Sequence, residues 1–131
     1  MDITGKKILV CDDSVLARKQ LMDAVKEIAS GAVFIEGKNG AEAVDLYKSE
    51  KPDLVFMDIV MPEKDGNAAL SEIREFDNEA VIIIVSSVGT QEQLKKAIQL
   101  GAKDFIQKPF EKNQIKEIIE LRLGGKWFSA Y

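Results

Sequence analysis

Three carboxylates, a hydroxyl and an ammonium group stand within two residues after short apolar runs of this sequence. They are Asp12-Asp13 before Ser14, Asp58 before Ile59-Val60-Met61-Pro62, Ser86 before Ser87-Val88-Gly89, and Lys108 before Pro109. Carboxylates brought together repel, by about 4 kcal/mol for a pair at roughly 4 Å and an effective dielectric near 20. A proton on one carboxyl offsets this, and so does a hard cation with oxygen ligands. Mg²⁺ suits a small carboxylate set that keeps several waters. Mg²⁺, a lysine and a short hydroxyl can each neutralise or hydrogen-bond an oxygen of a phosphoryl group, so the set is arranged to receive one. Asp58 is then the best nucleophile, since the run before it places it between Asp12 and Asp13 on one side and Ser86 and Lys108 on the other.

The elements that must position these groups alternate. Apolar runs at 7–11, 33–36, 54–57, 81–85 and 103–106 read as strands. The first, third and fourth are continuously apolar, as parallel strands covered on both faces should be; the second and fifth are mixed, as outer strands would be. Between them apolar residues recur at helical spacing: Leu21, Val25 and Ile28 after Ser14; Ala41, Val44 and Tyr47 after Asn39-Gly40; Leu70 and Ile73 after Asn67; Leu94 and Ile98 after Gln91; Ile115, Ile118 and Ile119 after Glu111. The pattern is (βα) five times over, an α/β chain with a doubly wound, five-stranded parallel sheet. In open sheets of this class ligands bind beyond the carboxyl ends of the strands, where all the polar groups above stand. That coincidence outweighs the plainer readings, in which Asp-Asp-Ser caps a helix, Ser86 or Ser87 caps the fourth one, and Pro109 lies near the first turn of the last.

Composition narrows the chemistry further. The 18 basic and 22 acidic residues give a net charge of −4, which disfavours nucleic acid or an anionic membrane as a direct partner. The chain has no histidine, so it cannot supply a histidine base, zinc ligand or phosphohistidine; a phosphohistidine must come from another molecule. Cys11 is the single cysteine and fits a reducing, cytoplasmic compartment. The expected organisation is one domain over 1–123 and a tail over 124–131 that contains the only Trp, Trp127.

The combination of Asp12-Asp13, Asp58, Met61-Pro62, Asp65-Gly66, Ser86 and Lys108-Pro109 closely resembles the receiver domains of two-component response regulators, over about residues 6–122. With no second domain in the sequence, the likeness is to stand-alone, CheY-like receivers. It implies the flavodoxin-like fold with strand order 2-1-3-4-5. It further implies that Asp58 accepts a phosphoryl group from a histidine kinase or phosphotransfer protein. Asp13, Asp58 and the backbone carbonyl of Val60 would bind Mg²⁺, with Asp12 helping through water. Lys108 would contact the phosphoryl group, Ser86 would swing toward it, and Phe105 would be the aromatic switch. The switch would alter the face formed by the fourth helix, fifth strand and fifth helix, where a downstream protein binds. By resemblance the chain is no enzyme in its own right, though it assists its own phosphorylation and dephosphorylation; it works in a pathway such as chemotaxis, as a monomer or a phosphorylation-linked dimer. A receiver cut from a larger regulator and a docking module that is never phosphorylated are the alternatives.

Three departures from the family pattern carry consequences. Ser86 stands where threonine is commoner, keeping the hydroxyl and losing a methyl that restrains its rotamer. Phe105 replaces a tyrosine typical of chemotaxis receivers and lacks the phenolic hydroxyl. Val60 and Val88 stand two residues after Asp58 and Ser86, where relatives often carry polar side chains that influence attacking water; apolar residues there are expected to slow loss of the phosphoryl group.

Overall fold

The computed structural model describes residues 1–87 and 90–124. Its elements are β1 (Lys7–Cys11), α1 (Val15–Ile28), β2 (Val33–Gly37), α2 (Gly40–Glu50), β3 (Leu54–Met57), α3 (Gly66–Phe76), β4 (Ile82–Ser86), α4 (Gln91–Gln99), β5 (Asp104–Gln107) and α5 (Lys112–Leu123). The strands form one parallel sheet in the order β2-β1-β3-β4-β5, so the two mixed runs lie at the edges as expected.

Alternation along the strands divides the core in two. Ile8, Val10, Leu54, Phe56, Ile83 and Val85 meet Leu21 and Val25 of α1 and Ile115, Ile118 and Ile119 of α5. Leu9, Val55, Met57, Ile82 and Ile84 meet Val44 and Tyr47 of α2, Leu70 and Ile73 of α3, and Ala97 of α4. Burying one such aliphatic side chain contributes about 1.5–3 kcal/mol, and a slip of one residue would exchange the two faces, so the apolar β3 and β4 runs fix the register of the sheet centre. The carboxyl ends of β1, β3 and β4 are thereby held in line.

The helix starts complete this alignment. Ser14, Asn39, Asp65 and Thr90 each accept a hydrogen bond from a backbone N–H three residues on, and the Glu111 N–H donates to Gln114 Oε1 at 2.9 Å. One start differs from the sequence expectation. Asp65 rather than Asn67 opens α3, because its carboxylate reaches the Ala68 N–H at 2.8 Å. Thr90 caps α4, which takes the capping role of their plainer reading from Ser86 and Ser87, and Pro109 stands two residues before Glu111, the N-cap of α5. Two strands begin one residue later than read, at Ile82 and Asp104. The proposed tail lies outside the described residues from Gly125 onward.

Cys11 ends β1 at 1% exposure, and burial, with the charge of Glu42 second, pushes its thiol from 9.0 up to about 12. Because the thiolate is the reactive form, the native protein is expected to resist iodoacetamide at neutral pH and to react once unfolded; intact mass before and after denaturant checks this. A raised pKa contributes stability that is complete below the unfolded value and lost as pH rises toward the folded one, so this contribution fades only in alkali.

Candidate functional site

The site begins where β1 and β3 stop. The Asp12 N–H continues the β1–β2 ladder to Gly37 O at 3.1 Å, and the Asp58 N–H donates to Cys11 O at 3.0 Å. Both aspartates therefore sit on sheet-held backbone at adjacent strand ends, one residue past the ladder's last apolar side chains. Asp12 is 6% and Asp58 9% exposed, whereas Asp13 faces solvent. Carboxylate oxygens of all three lie within 4.8 Å of one another.

Local hydrogen bonds orient the two buried carboxylates. Asp12 Oδ1 accepts from the Ser14 N–H at 2.9 Å and Asp58 Oδ1 from the Ile59 N–H at 2.7 Å. Each leaves its second oxygen for Lys108, whose Nζ donates to Asp12 Oδ2 at 2.6 Å and lies 3.4 Å from Asp58 Oδ2. Burial alone would pull the Lys108 pKa down. The hydrogen bond that Lys108 donates to Asp12 and the charges of Asp58 and Asp12 outweigh it, so the ammonium group is held above its ordinary 10.5. The sign means that this pairing stabilises the fold fully below the unfolded value and loses effect as pH rises through the folded one; the lysine is charged throughout the physiological range.

Ser86 ends β4 fully buried, and its carbonyl accepts the Lys108 N–H at 2.9 Å, so the hydroxyl residue and the lysine share one backbone junction between β4 and β5. A groove of about 480 Å³ lined by Ala17, Gln20, Ser87, Lys108, Pro109 and Phe110 opens between α1 and the loop after β5. Val60 is 62% exposed, and Val15 and Leu16 in the first turn of α1 are similarly open. Phe105 is half-buried on edge strand β5; it touches the α2–α4 side of the core and lines a groove of about 190 Å³ with Ile118 and Leu121 of α5. Val88 lies outside the described residues.

The donor set fits a hard divalent cation. It consists of carboxylate oxygens without nitrogen or sulfur, and three carboxylates with one ammonium leave two negative charges uncompensated. Asp13 makes no hydrogen bond or ion pair with any described residue, which leaves its carboxylate available as a ligand.

Two contributors escaped the sequence reading. Arg18 of α1 is 7% exposed, with Nη1 donating to the Asp12 carbonyl at 2.7 Å and Nε to Glu36 Oε1 at 2.9 Å. Gly66 opens α3 directly against Asp58: a Cβ there would stand 2.0 Å from the Asp58 carbonyl oxygen. Helical periodicity does not single out Arg18, and the Asp65-Gly66 motif carries no sign of its contact with Asp58.

Comparison with known proteins assigns the chain a family. The family profile described as "Response regulator receiver domain" matches residues 8–120. The chain is 46% identical to the chemotaxis protein CheY of Halobacterium salinarum over 115 residues, covering 88% of this chain and 94% of that one. It is also 46% identical to the Bacillus subtilis CheY over 119 residues, covering 90% and 98%. Among solved structures, a chain of the CheX-CheY-BeF3-Mg²⁺ complex from Borrelia burgdorferi superposes with a TM-score of 0.83 at 33% identity, covering 90% of this chain and 89% of that chain. Five parallel strands in the order 2-1-3-4-5, the acidic strand ends and these relatives lead to one assignment: the chain belongs to the response regulator receiver domain family.

Proposed function

We propose that this receiver is the phosphoacceptor of a His-Asp phosphorelay, with Asp58 as the residue that takes the phosphoryl group. The observation that carries this reading is the bridging of Asp12 and Asp58 by Lys108 inside a group of three carboxylates at the sheet's carboxyl edge. An Asp58 oxygen attacks phosphorus of a partner's phosphohistidine; the O–P bond forms as the P–N bond breaks, and the imidazole leaves with a proton from solvent. Asp12, Asp13, Asp58 and the Val60 carbonyl would hold Mg²⁺, which when bound neutralises charge on the phosphoryl oxygens. Lys108 stands ready to transfer its ammonium from the carboxylates to those oxygens, and the groove beside it gives the donor an approach.

The output follows from the β4–β5 junction. A phosphoryl group that attracts Lys108 and the Ser86 hydroxyl acts on backbone shared with β5, where Phe105 lines the groove toward α5. The α4-β5-α5 face then changes its preferred arrangement and binds a downstream protein. Both relatives at 46% identity are chemotaxis proteins, and one neighbouring structure is a complex with CheX; chemotaxis in the cytoplasm is the process that we assign. No described helix is long and apolar enough to cross a membrane.

Beryllofluoride, a non-hydrolysable phosphoryl mimic, tests the reading without a kinase. Added with Mg²⁺, it is expected to shift amide resonances around Asp58 and across α4-β5-α5. Shifts at neither place would overturn the proposal, and shifts at Asp58 alone would remove the output half.

The exposed Val60 side chain supports a slow reset, because it offers no polar atom to orient attacking water. Val60→Asn is expected to speed loss of the phosphoryl group several-fold, less than a fully positioned acid or base contributes, since an amide orients water without taking its proton. A rate that rises little or falls, measured after removing the donor, contradicts this.

A further inference from the structure

We infer that Arg18 is a positioning residue for the cation site: anchored on Glu36, it clamps the peptide between Asp12 and Asp13 and so sets the directions of both carboxylates. The inference rests on the proposal that these aspartates hold Mg²⁺.

Arginine is seldom buried without partners, and Arg18, at 7% exposure, has two. Its Nη1 holds the Asp12 carbonyl at 2.7 Å while its Nε is held by Glu36 Oε1 at 2.9 Å. The carbonyl belongs to the peptide that links Asp12 to Asp13, and the preceding peptide is tied to β2 through the Asp12 N–H and Gly37 O. The chain at Asp12 is therefore fixed by β2 from one side and α1 from the other. Asp13, which has no side-chain partner among the described residues, takes its orientation from that backbone.

Charge makes the arrangement informative. A cation this close to an acidic site opposes binding of a second cation, and Glu36 offsets it, so the pair supplies a fixed donor at nearly zero net charge. The Glu36 side chain is 46% exposed and that of Arg18 only 8%, so water satisfies the rest of the carboxylate while the arginine stays largely dry. Groups that orient metal ligands typically change affinity about 10- to 100-fold when removed. Electrostatics and positioning thus predict opposite signs. Loss of the Arg18 charge by itself strengthens Mg²⁺ binding, whereas loss of the clamp weakens it.

Calorimetric titration of the full chain with Mg²⁺ reads that sign, with thermal unfolding in EDTA as the control for folding. Arg18→Met is expected to weaken Mg²⁺ binding about tenfold. Arg18→Met combined with Glu36→Gln, which leaves net charge unchanged, is expected to weaken it as much. Arg18→Lys keeps the charge but cannot reach both acceptors with one fixed fork, and a loss of about threefold or more is expected, smaller than full removal gives because one of the two contacts can persist. If Arg18→Met fails to fold, the lysine variant decides. Unchanged or tighter binding in the folded variants, with wild type binding normally, overturns the positioning role alone. A wild type that binds no Mg²⁺ overturns the metal reading and this inference with it.

Discussion

Asp58→Asn is expected to abolish phosphoryl uptake and, without Mg²⁺, to make the protein more stable. The opposite signs have one cause. Asp58 is buried with carboxylate oxygens of Asp12 and Asp13 within 4.8 Å, and at an effective dielectric near 20 each such pair repels by about 3 kcal/mol. Lys108 relieves part of this, but it lies nearer Asp12, at 2.6 Å, than Asp58, at 3.4 Å. Removing the Asp58 charge while keeping its shape and its bond from the Ile59 N–H should therefore stabilise the metal-free fold by about 1–2 kcal/mol. The same substitution deletes the nucleophile, and phosphoryl uptake from acetyl phosphate should fall about a thousandfold or more, below detection. Urea unfolding in EDTA reads the first effect, and adding Mg²⁺ should shrink it, since the cation stabilises wild type more than the variant. A less stable variant in EDTA would mean that repulsion does not dominate the site.

Gly66→Ala is expected to damage stability and phosphoryl uptake together. The added Cβ would stand 2.0 Å from the Asp58 carbonyl oxygen, 2.8 Å from its carbon and 2.8 Å from Ile59 Cα. All three are backbone atoms, so no flexible side chain can yield. The Gly66 N–H also donates to Ile59 O at 2.7 Å, which pins the start of α3 to the loop that follows β3. Either α3 or Asp58 must move. The expected cost is about 2–4 kcal/mol in urea unfolding, and uptake in the still-folded fraction should drop about tenfold or more, because small misplacements of a reacting group are expensive. Gly5→Ala is the matched control: open space surrounds that position, and its φ of +82° makes the change a matter of local strain, about 1 kcal/mol, with uptake untouched. Equal effects from the two variants would show that Gly66 acts through general stability instead of its contact with Asp58.

The legibility of this chain followed the range of each interaction. Runs such as Leu54–Met57 announced a strand covered on both sides because burial on two faces leaves no polar alternation, and the structure buries all four residues. Helix starts were legible where a side chain caps its own helix, as at Ser14 and Asn39, and misplaced where two candidates stood close together, as with Asp65 and Asn67. Asp12, Asp13, Asp58 and Lys108 were legible as a group because parallel strands deliver their following residues to one edge. The Arg18–Glu36 pair was not, since it joins a helix to an edge strand 18 positions away and each partner alone reads as an ordinary surface charge. The close approach of Gly66 to Asp58 depends on backbone geometry that residue type does not encode. The preference of Lys108 for Asp12 over Asp58 likewise emerges only from distances.

We propose above all that the chain takes a phosphoryl group on Asp58 with the help of a divalent cation. Intact-protein mass spectrometry after brief treatment with acetyl phosphate, in Mg²⁺ or in EDTA, tests it most directly. The predicted result is an increase of one phosphoryl group in Mg²⁺ alone, removed by hydroxylamine as an acyl phosphate should be, and absent in Asp58→Asn. No increase in either condition, or one that forms equally in EDTA or persists in Asp58→Asn, would contradict the account.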